Sequence, residues 1–149
     1  MKAWQRIIDE FQDRLEEWGA RDSLKVDWPT WTRGSRLITS RNMLVLQGAK
    51  DILLYVKVRS VAPWFWGITK NRLRLLRESP CAWFVVLLAG SPEAGYLVPA
   101  SEVDSCVESG QWRLASDGDF KIHPATLPEE SYFGSVREFG SKLVGYSGP

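Results

Sequence analysis

The stretch "CAWFVVLLAG", Cys81 to Gly90, constrains this chain most. It is an unbroken apolar run of strand length, bounded by Pro80 and Gly90, with no polar alternation to give it a wet side. Such a run reads as a central strand covered on both faces, so the chain must supply a layer of structure on each side of a sheet. A second stretch, "ILLYVKVR" (Ile52 to Arg59), has the same demand with one difference. With a period of two, Ile52, Leu54, Val56 and Val58 share one face, which is entirely apolar. The other face carries Leu53, Tyr55, Lys57 and Arg59. That second face turns cationic toward its end, so the strand runs from the interior to a place where positive side chains meet water or an anion.

The remaining segments fall around these two. Trp4, Ile7, Ile8, Phe11, Leu15 and Trp18 recur at helical spacing ahead of Gly19, predicting an amphipathic helix over 3–18. "SLKVDWPTWTRGS" reads as a loop or edge segment because Pro29 cannot serve a central strand. "RLITS", "MLVLQG" and "DILLYVKVR" read as an antiparallel meander, turning at Arg41-Asn42 and at Gly48-Ala49-Lys50. "ITKNRLRLLRES" predicts a short helix with Leu73, Leu75 and Leu76 inward and Lys70, Arg72, Arg74 and Arg77 outward. After the apolar strand come a strand at "YLVPA", a helix over "SEVDSCVESG" with Ser101 and Asp104 as a capping box, and a hairpin turning at Asp117-Gly118. A last short helix is expected near 135–143. The order is αβββαβ, then β, α and a hairpin, an α/β (α+β) domain over 1–149 with its core in about the first 100 residues and an extension over 101–149.

Composition excludes several classes. With 149 residues, 44% hydrophobic and 25% charged, the chain buries a core without staples. Cys81 and Cys106 stand far apart in unlike contexts, which fits neither a disulfide framework nor metal spacing and sets the cytoplasm as the expected compartment. The start "MKAWQRIIDEF" lacks the apolar core of a signal peptide, and no run is long enough to span a membrane. His123 has no second histidine or paired cysteine for zinc. No nucleophile constellation and no phosphate loop occur. The formal net charge of +1 hides a segregation: residues 33–77 hold ten basic residues against one acid, a local charge of +9, between flanks of −2 and −6. Such clustering makes a local positive field that attracts polyanions.

Helix, three-strand meander with Lys57 near the end of the third strand, helix and buried strand together resemble the core of the PD-(D/E)xK nuclease superfamily, the restriction-endonuclease-like fold. The resemblance covers roughly residues 1–90. It implies a sheet end where two acids hold Mg²⁺ and a lysine orients the attacking water. Carried over by position, Lys57 takes the lysine's place, Tyr55 the second acid's place and Asn42 approximately the first acid's. Neither of the last two is an acid, and Mg²⁺ binds a phenol and an amide poorly. Glu10 on the first helix, Asp51 at the start of the third strand and Asp27 before the meander are candidate replacements, with Glu10 and Asp51 as metal ligands if the chain is active.

Each of these residues also has a plainer role. Lys57 can snorkel to solvent, Tyr55 can pair across the sheet, and "PWFWG" can plug the space under the second helix. The functional reading makes Arg41, Arg59, Lys70, Arg72, Arg74 and Arg77 phosphate contacts and Trp64 and Trp66 stacking surfaces for bases. The resulting expectation is a DNA-binding protein of nuclease-like fold with weak or lost hydrolysis. The alternatives are an active Mg²⁺-dependent endonuclease with relocated acids, and an interaction protein whose basic middle and acidic ends pair between copies in a homo-oligomer.

Overall fold

The structure, a computed structural model, describes residues 1–21, 25–27, 42–47 and 51–147. In chain order the elements are α1 (Ala3–Arg21), β1 (Lys25–Asp27), β2 (Met43–Gln47), β3 (Ile52–Arg59), β4 (Trp66–Thr69), α2 (Lys70–Glu78) and β5 (Ala82–Ser91). They continue with β6 (Ala94–Pro99), α3 (Ala100–Glu108), β7 (Arg113–Leu114), β8 (Asp119–Ile122), β9 (Tyr132–Phe133) and α4 (Val136–Ser147). β3 and β5 pair in parallel from Ile52–Ala82 through Arg59–Ala89 at the centre of a six-stranded mixed sheet, β1-β2-β3-β5-β6-β9. Every other pairing in that sheet is antiparallel.

A parallel pair needs a crossover, and residues 60–81 provide it as strand, helix and turns. The two faces of β3 go to two separate cores, as the alternation demands. Ile52, Leu54 and Val56 pack with Phe84, Val86 and Leu88 of β5 under Ile8, Phe11 and Leu15 of α1 and Phe139 and Leu143 of α4. Phe11 and Phe139 meet edge to face, with centroids 5.3 Å apart, where the two helices touch. Leu53 and Tyr55 pack on the other face with Val85 and Leu87 under Trp66 and Ile68 of β4, Leu73 and Leu76 of α2, and Val103 and Cys106 of α3.

Several expectations are corrected. The strand beside β2 is Lys25–Asp27, taken from the segment read as loop or edge, and it does lie at the sheet's edge. The expected strand at 36–40, and the turns at Arg41 and 48–50, lie outside the described residues. "WGIT" forms β4 of a second, three-stranded sheet, β4-β8-β7, so α2 begins only at Lys70, with the Thr69 hydroxyl accepting the Arg72 N–H at 3.2 Å. α3 starts at Ala100, which puts Ser101 inside the helix, so no side chain caps it. The Asp117-Gly118 hairpin forms as read, Gly118 taking φ +87°.

The β5–β6 pair is irregular between Leu88 and Ser91, and Gly95 sits where the two backbones crowd. A Cβ at Gly95 would overlap the Leu87 carbonyl oxygen, which belongs to backbone and cannot swing away. Gly95→Ala should therefore destabilise the protein by at least about 1–3 kcal/mol in urea unfolding, the cost of overpacking a closed site. A midpoint equal to wild type would show that the two strands part easily.

Candidate nucleic-acid interface

Strand alternation brings Tyr55 and Lys57 to one face of β3, and the Lys57 Nζ lies 5.9 Å from the Tyr55 ring centroid. Tyr55 is 3% exposed while Lys57 is half-buried, so the strand does pass from core to periphery at this point. Lys57 pairs with Leu87 across the parallel ladder. Burial lowers the Lys57 pKa below the ordinary lysine value; the Asp119 carboxylate opposes this, and the Arg72 guanidinium adds to it. The same neighbours act on Tyr55, whose phenol burial pushes up to about 12, with Arg72 lowering and Asp119 raising it.

Three elements therefore aim charge at one sheet end. β3 brings Lys57, the first turn of α2 brings Arg72, and β8 brings Asp119 across from Thr69 of β4. Gly67 makes room for the acid: a Cβ there would lie 2.9 Å from the Asp119 Oδ2. Asp119 also stands 3.9 Å from the Lys121 Nζ, which bonds Asp117 at 2.7 Å. No ion pair within 4.0 Å joins Asp119 to Lys57 among the described residues, so the acid acts on the lysine through its field. Asp119 is the residue that sequence reasoning missed. Its "DGD" context signals a turn, and nothing local says that the turn lands over the end of β3.

Asn42 meets the same stretch of β3. Its carbonyl accepts the Val56 N–H at 2.7 Å, and its Nδ2 donates to the Val56 carbonyl at 2.6 Å. It thus faces the residue between Tyr55 and Lys57, its amide engaged with backbone. Asp51 lies six residues before Lys57 along the extended strand, about 20 Å away at roughly 3.3 Å per residue. It cannot share a ligand with Lys57. Glu10 is exposed on α1, which covers the opposite face of the sheet. The described residues hold no group of three or more His, Cys, Asp or Glu side chains able to share a metal ion. Among them the donor set does not fit Mg²⁺, a hard cation that takes carboxylate oxygens.

The expected phosphate contacts and stacking surfaces divide. Lys70 and Arg74 are exposed on α2. Arg77 pairs with Asp104 of α3, its Nη2 at 2.8 Å, so it ties two helices together instead of standing clear. Arg59 donates its Nε to the Val61 and Pro63 carbonyls and sits over Phe65 at 4.0 Å, organising the chain that leaves β3. Trp66 is 3% exposed and donates its Nε1 to the Leu88 carbonyl at 3.0 Å, which removes it as a stacking surface. Trp64 is half-buried against Gly90. Arg41 lies outside the described residues.

No protein-family model matches the chain, and no curated protein sequence does. Among solved structures, the chain is similar to Hjc, a Holliday junction resolvase from the archaeal hyperthermophile Archaeoglobus fulgidus. The TM-score is 0.52 at 13% identity, over 88% of this chain and 98% of that one. The likeness shows the fold, and the expected nuclease-like α/β architecture is the one observed. No helix among the described residues is long and apolar enough to cross a membrane.

Tyr55 gives a testable pH dependence. Its pKa is near 10 in the unfolded chain and about 12 in the folded one, so between these values only the unfolded chain loses the proton. The unfolded state is then favoured, and stability falls as pH rises through that window. At about 1.4 kcal/mol per pKa unit, the loss approaches 2–3 kcal/mol by the upper end. Tyr55→Phe should flatten this fall in denaturant titrations above pH 10. An unchanged slope would mean the phenol is not the group responsible.

Proposed function

We propose that this chain is a nucleic-acid-binding protein of the PD-(D/E)xK superfamily, with DNA as its ligand and metal-dependent phosphodiester hydrolysis weak or lost. One observation carries the reading. Lys57, which the resemblance puts at the lysine position, lies half-buried within the field of Arg72, and the residues it puts at the acid positions are a buried Tyr55 and an Asn42 bonded to the Val56 backbone. A cation at a sheet end without its carboxylates can still attract a phosphate. It can no longer assemble the metal that the family uses to make a nucleophile. The exposed Lys70 and Arg74 extend the positive surface along α2.

A second reading, an endonuclease with a relocated acid, is favoured by the Asp119 carboxylate acting on Lys57. One carboxylate falls short of the two that the family's metal chemistry uses. Binding therefore takes precedence.

The test is fluorescence anisotropy with duplex DNA over a range of salt. If Lys57, Lys70 and Arg74 each neutralise a phosphate, log K should fall against log salt with a slope of about −2.7. Lys57→Met keeps the aliphatic stem and should lower affinity by about 1–2 kcal/mol, the scale of one charge-assisted hydrogen bond. Arg74→Glu should weaken binding while moving the Tm by no more than about 2 °C. An affinity indifferent to salt and to both substitutions would overturn the reading.

A further inference from the structure

Lys57 is one end of a row that crosses the central sheet. Lys57 pairs with Leu87, Leu87 with Tyr96, and Tyr96 with Tyr132, so these four residues share one line and one face over β3, β5, β6 and β9. At about 4.8 Å per strand, Tyr132 stands roughly 14 Å from Lys57. The aromatic members are held by one another. The buried Trp66 meets Tyr96 edge to face at 5.9 Å, and Tyr96 meets Tyr132 in the same way at 5.5 Å. Trp66 is buried and Tyr96 half-buried, while Tyr132 is 47% exposed on a two-residue edge strand.

Beside Tyr132 lies an open depression of about 530 Å³, lined also by Gly134, Arg137, Glu138, Ser141 and Lys142. Its charges are unevenly available. Glu138 accepts the Gly134 N–H at 2.6 Å and keeps its negative charge, so the lining carries two cations against one acid. Lys142 donates one proton to the Glu130 carbonyl at 2.6 Å, and an ammonium carries two more. Arg137 is exposed and makes no ion pair with another described residue. A half-exposed ring held against Tyr96, beside two cations, has the chemistry that takes an unpaired nucleobase and its phosphates.

We propose that Tyr132, with Arg137 and Lys142, is a subsite for an unpaired nucleotide of a nucleic-acid strand whose backbone is held at Lys57. The proposal rests on the nucleic-acid reading of Lys57 and adds single-strand recognition to it. The line between the two is covered, with Leu87 buried and Trp66 packed on Tyr96, so a strand bound at both ends passes over that layer and needs more than the about four nucleotides, at roughly 3.4 Å each, that 14 Å would take. The base stacks on the open face of Tyr132, Arg137 and Lys142 meet the adjacent phosphates, and Trp66 and Tyr96 keep the ring from turning away.

The experiment compares the full chain with its Tyr132→Ser and Tyr132→Trp variants. Each is titrated against a short oligothymidylate, the matching oligouridylate and a blunt DNA duplex. Tyr132→Ser should lose at least fivefold affinity for one or both single strands, the lower end of base stacking on an aromatic ring, with a smaller loss on the duplex. Tyr132→Trp should restore single-strand binding, which a mere change in folding would not do. If wild type and Tyr132→Ser bind single strands equally while wild type binds duplex, the subsite is overturned and the DNA reading stands. If wild type binds none of the three, both fall.

Discussion

The parallel pairing of β3 with β5 is the constraint on which the rest of the molecule depends. Eight register pairs lock two strands that are buried on both faces, so no water is left to satisfy their backbones and the ladder must be complete. The pairing sends the chain out at the end of β3 and back to the start of β5, which generates the crossover with β4 and α2. It requires one layer from α1 and α4 and another from α2, α3 and the small sheet. It also sets the ends of both strands side by side, and Lys57 is the residue at which the buried face of β3 gives way to charge.

The chemistry at that end follows from how few groups offset the burial of Lys57. Removing an ammonium from water disfavours its charged form, and Asp119 is the acid whose field opposes that loss. The acid arrives on a hairpin far along the chain, over a glycine, and not on the meander. Where the resemblance expects carboxylates, the chain has put a phenol that packs into the core and an amide that bonds backbone. Both residues serve the packing of β3: Tyr55 adds apolar burial, and Asn42 donates to the Val56 carbonyl next to the lysine.

Much of the fold was legible because it rests on periodicity and apolar runs. The central strand at 82–91, the two faces of 52–59, the first helix and the Asp117-Gly118 hairpin each declare themselves in their own local sequence. The second sheet did not. "WFWG" has the composition of a plug, and the strand that begins within it at Trp66 depends on pairing with Asp119–Ile122, fifty or more residues away. The site was half legible for the same reason. Tyr55 and Lys57 share a face by alternation alone, but the approach of Arg72 and Asp119 is a product of tertiary packing. The arginines of α2 looked alike in sequence, and only the fold separates Arg77, paired with Asp104, from the exposed Arg74. Likewise Trp66 reads as a stacking surface while Tyr132 goes unremarked in the sequence, and their depth in the fold reverses the two.

The central claim is that this nuclease-like fold keeps a phosphate-attracting cation where the metal ligands have gone. Mn²⁺ titration followed by electron paramagnetic resonance tests it directly, because bound and free ion are distinguished without any reaction taking place. The account predicts no saturable one-to-one site for Mn²⁺ at micromolar concentration, and a spectrum unaltered by Asp119→Asn or Glu10→Gln. A tight stoichiometric site that either substitution abolishes would contradict it, and would make this sheet end a metal centre with relocated acids.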